Sequence, residues 1–185
     1  QAILYCRLTD RALRPMFPKG MINDVVITIT PLAIDHTLDL GVSTIIGSSL
    51  SIMAAGIPFD GPVGAAQIGY IDGKFIINPT REESEKSLFL LLVAGKKGSI
   101  NMIEAEGNEV EKELLKEAFI VGQKAIDQSC DFQDAFLKEL KPELKEIAYN
   151  KPSDDLIAYV STILTQERLQ ALAGNTKVPF NDTYN

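Results

Sequence analysis

Hydrophobic positions fall along this chain in blocks whose period changes several times, and each change marks a new element. Between Ala2 and Phe17, Ile3, Leu4, Leu8, Leu13 and Met16 recur at helical spacing, with Arg7, Arg11 and Arg14 on the remaining surface. Pro15 and Pro18 end that helix, and Lys19-Gly20 turns the chain. Val25–Thr30 is β-branched throughout, which predicts a strand, and Pro31 limits its extension. From Leu40 to Ala55 the pattern is helical and apolar nearly all round, with Gly47, Ser48, Ser49, Ser51, Ala54 and Ala55 supplying a small-residue face. Such a helix belongs against a sheet or another helix. Gly56 suits its left-handed C-cap, with Pro58 just beyond.

Two hairpins follow. Ala65–Ile71 and Lys74–Asn78 flank Asp72-Gly73, a two-residue hairpin signal whose twist matches that of the strands. Leu88–Ala94 and Ser99–Ala105 flank a turn at Lys96-Lys97. Because Leu88–Val93 is apolar on both faces, that strand is expected at the centre of a sheet covered on both sides. Glu109 to about Gln128 reads as an amphipathic helix, with Val110, Leu114, Ala118, Val121 and Ile126 turned inward. Beyond Cys130 charge increases, and a further helix is expected from Ser153, a favourable N-cap, to about Ala173. The element order predicts an α+β fold in which helices pack on a mixed or antiparallel sheet. A boundary is placed near Lys141, giving a core of residues 1–141 and a helical module of 142–185.

The stretch AAGIPFDGPVGAAQIGY, residues 54–70, concentrates glycine and proline in small apolar surroundings. Gly64-Ala65-Ala66 is nearly free of side chains, so a helix packed closely on the strand is expected there, in preference to a ligand contact. The glycine spacing fits neither a dinucleotide fingerprint nor a Walker motif.

Composition narrows the function classes. A hydrophobic share of 45% with 23% charged residues belongs to a chain with a buried core. The net charge of −7 argues against binding nucleic acid by bulk electrostatics, which needs concentrated Lys and Arg. The first twenty residues depart from that background, since Arg7, Arg11, Arg14 and Lys19 face one acid, Asp10. Two cysteines, Cys6 and Cys130, have no metal-ligand spacing and read as reduced thiols of a cytoplasmic protein. His36 is the lone histidine, so no multi-histidine metal site exists, and no apolar run reaches the length of a membrane span. A chain that starts at Gln1 and enters a helix at once reads as an excised piece.

Few residues are placed for chemistry. Ser48 and Ser49 lie on the small helix face with no base beside them, which favours packing over nucleophilic attack. His36, next to Asp35 in a polar loop, reads as a solvated side chain. Arg7, Arg11 and Arg14 stand at i, i+4 and i+7 and would form one cationic ridge. Guanidinium forks suit RNA phosphates. They also suit carboxylates: Asp10 and Asp24 are near in sequence, and Arg11 is a candidate for an internal bridge.

Three separated segments carry a family resemblance: RLTDRALRPMFPKG (Arg7–Gly20), IGSSLSIMAAGIPFDGPVGAAQIGYIDGKFIINPT (Ile46–Thr80) and LVAGKKGSINMIEAEGNEV (Leu92–Val110). In this order they resemble the first RNase PH-like core domain of the bacterial polynucleotide phosphorylase family, and the likeness extends to about Ile126. The weaker pattern after Pro142 looks like the start of that family's all-helical linker. The resemblance implies a ribosomal S5 domain 2-like fold, truncated at its N-terminal side, with a helical module after it. It implies a parent enzyme that is a ring-shaped homotrimer, degrades single-stranded mRNA from the 3′ end with phosphate as co-substrate and Mg²⁺ as metal, and also polymerises.

In that family the working second copy holds phosphate with serines at the start of the buried helix and carries an aspartate and a lysine on the central strand. By this likeness Leu40 and Gly41 stand where the serines would be, and Leu90 and Leu92 where the aspartate and lysine would be. Leucine neither ligates a metal nor stabilises an oxyanion. The resemblance therefore implies no catalytic and no metal residue in this chain, with Arg7, Arg11 and Arg14 near the RNA path. Ala12 and Gln67 replace a proline and an arginine of the family pattern. The alternatives are an RNA-binding module in its own right, or a structural piece that packs against the missing second copy.

Overall fold

A computed structural model describes residues 2–174. Its centre is a four-stranded antiparallel sheet in the order β2-β1-β3-β4. The strands are β1 (Gly64–Ile71), β2 (Lys74–Ile77), β3 (Phe89–Lys96) and β4 (Ser99–Gly107). Asp72 and Gly73 both have positive φ, 48° and 78°, as the mirror-image hairpin turn demands. The apolar run Leu88–Val93 does lie at the centre: β3 pairs with β1 on one side and β4 on the other.

Alternation along β3 then divides the core into two. Phe89, Leu91 and Val93 join Ala66, Ile68, Ala118 and Ile126 on one face. Leu92 and Ala94 join Ala65, Leu13, Ile45 and Ile52 on the other. Helix α1 (Ala2–Leu13) and helix α2 (Gly41–Ala54) cover the second face. The first is covered by α4 (Lys112–Leu140), which follows the short α3 (Arg81–Lys86) and β4. The sheet is thus sandwiched between helices, as an α+β fold requires.

The glycines of residues 54–70 act in packing. A Cβ on Gly64 would sit 2.6 Å from the carbonyl oxygen of Ile126, so α4 rests directly on the strand backbone. Gly122 of α4 receives Val93 in the same way, its absent Cβ lying 2.7 Å from a Val93 methyl. At the end of α2, Gly56 takes φ +69°. Its N–H donates to Met53 and that of Ile57 to Ile52, which closes the helix in a Schellman motif.

Several sequence expectations are corrected. Val25–Thr30 forms no strand among the described residues: its β-branched residues have no paired neighbour, and strand propensity without a partner forms no ladder. The second hairpin turns at Lys97-Gly98, because Lys96 still pairs with Ser99. Helix α4 runs 29 residues, well past Gln128, since the charges beyond Cys130 are the solvent face of the same helix whose buried face continues through Cys130 and Gln133. The helix expected from Ser153 to Ala173 is two, α5 (Asp154–Ile163) and α6 (Gln166–Gly174). Thr165 separates them by offering its hydroxyl to the N–H of Arg168. Helix α3, unread in the sequence, is fixed by a reciprocal capping box between Thr80 and Glu83.

The chain divides into two compact units between Ala148 and Tyr149. The first holds α1 to α4 and the sheet. In the second, α5 begins at the N-cap expected, Ser153, whose hydroxyl accepts from the N–H of Leu156.

Candidate functional site

The arginines are set by the burial of α1. Thr9, Ala12 and Leu13 face the core, which leaves Arg7 and Arg11 outward. Arg14 is exposed too, but stands in a 3₁₀ turn, Arg14–Met16, where Pro15 has ended the α-helix. The ridge is therefore continuous from Arg7 to Arg11 and bends at Arg14. Arg11 donates to Glu104 and, at 3.1 Å, to the carbonyl of Ile103, tying α1 to β4. Arg14 grips both oxygens of Asp10 through Nε and Nη2 at 2.7–3.2 Å. Arg7 makes no side-chain hydrogen bond and Asp24 no ion pair among the described residues. Both bridges are largely solvent-exposed, so each is a weak tether that a stronger anion displaces at small cost.

A second constellation lies where α2 starts over the sheet. Asp39 accepts from the N–H of Gly41 and from the phenol of Tyr5, each at 2.7 Å, which joins α1 to the head of α2. Burial and then the Asp39 hydrogen bond push the Tyr5 phenol above its ordinary range. Beneath it is a groove of about 230 Å³ whose lining includes Leu90, Leu92, Gln67, Glu104 and Glu106. Strand register sets this pattern, since Leu92 stands opposite Gln67 and Glu104, and Leu90 opposite Glu106. A Cβ on Gly41 would lie 3.3 Å from a Leu92 methyl. The structure thus brings Gly41 and Leu92, far apart in sequence, to one point.

Residues at that point do not fit a divalent metal or a phosphate. The floor is hydrocarbon, Leu92 is buried, and the head of α2 offers the N–H of Gly41 already to Asp39. Of the nearby carboxylates, Glu104 is engaged by Arg11 and Asp39 by Tyr5. Among the described residues no three His, Cys, Asp or Glu side chains are grouped to hold a metal ion. Glu106, which makes no ion pair among the described residues, adds negative charge along the groove and disfavours an anion.

The other sequence candidates have structural partners. Ser49 is fully buried and its Oγ accepts from the N–H of Val63 at 2.8 Å, which fixes the approach to β1. Ser48 is buried with its Oγ unpartnered. His36 is exposed. Burial pushes the Cys130 thiol up, and it donates to the carbonyl of Pro62; Cys6 is exposed and free. Sequence reasoning missed the Tyr5–Asp39 latch and the role of Glu104. The alternation of Glu104 and Glu106 with Ile103 and Ala105 was the available signal for a polar row on one face of β4.

Residues 61–125 match the 3′ exoribonuclease family, domain 2. The chain is 39% identical over 169 residues to the polyribonucleotide nucleotidyltransferase of Thermosipho melanesiensis, covering 91% of this chain and 24% of that protein. It is 43% identical over 162 residues to the enzyme of the same name from Gloeobacter violaceus, covering 86% of this chain and 22% of that one. A solved structure of rice Rrp46 aligns over 55% of this chain and 48% of the rice chain, with a TM-score of 0.49 and 19% identity.

Proposed function

This chain belongs to the polyribonucleotide nucleotidyltransferase family, spanning about a quarter of the curated relatives' length, and we propose that it is the noncatalytic first core domain of such an enzyme with the start of its helical linker. Residues 1–141 are read as the core and 142–185 as the linker. The parent polypeptide degrades single-stranded RNA from the 3′ end by phosphorolysis, with Mg²⁺ and phosphate at a site outside this chain, in a cytoplasmic homotrimer that turns over mRNA. No helix among the described residues is long and apolar enough to cross a membrane.

The observation that carries this reading is the hydrocarbon of Leu90 and Leu92 in the groove, with Leu92 against Gly41 at the head of α2. A phosphorolytic centre must hold an anion and neutralise the charge that develops as the phosphodiester is attacked. Leucine side chains do neither, so the domain frames the reaction without performing it. What it offers RNA is the outward ridge of Arg7, Arg11 and Arg14. Arg7 is uncommitted among the described residues, and the weak carboxylate pairs of the other two yield to phosphate.

Replacing Arg7, Arg11 and Arg14 together with alanine tests the ridge by fluorescence anisotropy with a labelled single-stranded RNA. The expected result is weaker binding and a salt slope smaller by roughly 0.7 for each phosphate no longer neutralised on a single strand. Unchanged affinity and slope would remove the ridge from the RNA path.

A further inference from the structure

Two of the three ridge arginines already hold an anion that belongs to this chain, and they hold it in different ways. Asp10 lies about one helical turn before Arg14, and its two oxygens accept from Nε and Nη2. Those two N–H groups are a fork with which an arginine takes a phosphate bidentately, so the carboxylate stands where a phosphate would. Glu104 comes from another element. It lies on the edge strand β4 and accepts from Nη1 of Arg11, while Nη2 of the same guanidinium donates to the carbonyl of Ile103. Neither pair is shielded: the side chains of Arg11 and Glu104 are 49% and 55% exposed, and those of Arg14 and Asp10 77% and 50%. An anion arriving from solution therefore reaches either arginine without unpacking the core.

We infer that Asp10 and Glu104 are resident counter-anions of the ridge: each occupies its arginine until an RNA phosphate exchanges for it, and each lowers RNA affinity by that exchange. The inference rests on reading the ridge as an RNA contact, and it gives two carboxylates the role of setting how tightly that contact holds. Exchange opposes binding in two ways. The ion pair is given up, and the released carboxylate stays beside the incoming phosphate as a like charge. A strand overcomes both once one of its phosphates is seated on Arg7, because the next ones are then presented at high effective concentration. The two carboxylates differ in what their release does to the fold. Asp10 and Arg14 belong to α1 and the turn that follows it, so exchange there is local. Exchange at Arg11 undoes the link to Glu104 and loosens α1 from β4.

Fluorescence anisotropy with a labelled single-stranded RNA and the 185-residue chain tests it through double-mutant cycles. Glu104→Gln and Asp10→Asn keep the side-chain shape and remove the charge. Each is expected to tighten binding about two- to fivefold at low salt, and the gain is expected to vanish when Arg11→Ala accompanies the first or Arg14→Ala the second. Unchanged or weaker binding of either variant overturns the proposal for its arginine. A gain that persists on the alanine background overturns it as well, since it then reflects only a less negative chain. Thermal melts separate this role from a purely structural one: Glu104→Gln is expected to lower the Tm through loss of the α1–β4 link while RNA affinity rises, whereas a fall in both would contradict the exchange. Failure of the ridge is read from the triple alanine variant. Loss of affinity there, with no gain from the two carboxylate variants, rejects the counter-anions and keeps the ridge.

Discussion

Ser48 and Ser49 are adjacent, similarly buried and chemically identical, yet they differ in what they hold. Ser49 accepts from the N–H of Val63 and thereby anchors the strand that follows the turn, whereas the hydroxyl of Ser48 meets nothing. Ser49→Ala leaves a buried donor unpaired and is expected to destabilise the chain by about 1–3 kcal/mol, while Ser48→Ala in the isolated chain costs far less. Urea unfolding of the two variants measures the contrast. Gly64→Ala is the matching test of close approach: its Cβ would press on the Ile126 carbonyl at 2.6 Å, and a destabilisation of about 1–3 kcal/mol is expected by the same measurement. The sequence disclosed that Gly64-Ala65-Ala66 needed to be small. It did not disclose which helix pressed on it, because the two meet across a long stretch of intervening chain.

At the scale of elements, a polar clasp joins the β3–β4 turn to α4. Asp127 accepts from the N–H of Gly98 at 3.0 Å and from Gln123 at 2.7 Å, and Lys97 pairs with Asp131. The Gly98 amide, then Gln123, hold the Asp127 carboxyl below its ordinary value of 3.8. A carboxylate with a depressed folded-state pKa contributes stability that is complete above its unfolded value and lost as pH falls through the folded one. Acidification below about pH 4 is therefore expected to loosen this turn, and Asp127→Asn to remove that part of the acid dependence, as thermal melts across about pH 2–6 would record. Elements whose signals are local were legible: the Asp72-Gly73 hairpin, the Gly56 cap and the apolar β3. Helix α4 was cut short because charge after Cys130 masked its buried face. Val25–Thr30 was misread because a strand is a property of two segments, and its sequence describes one.

For the whole molecule, the two-faced sheet decides what is possible. It places Arg7 and Arg11 on the outer face of α1 and hydrocarbon at the inner meeting point of α2 and β3. The leucines at 90 and 92 could be read from the sequence as apolar, and the resemblance marked their meaning. The convergence of Leu92 with Gly41, and the Tyr5–Asp39 latch beside them, required the fold. The most direct measurement is phosphorolysis itself, in which the purified 185-residue chain is incubated with single-stranded RNA, phosphate and Mg²⁺, and nucleoside diphosphates are quantified. No phosphate-dependent release above a protein-free control is the predicted result. Release that scales with the amount of chain and disappears without phosphate would contradict a noncatalytic domain.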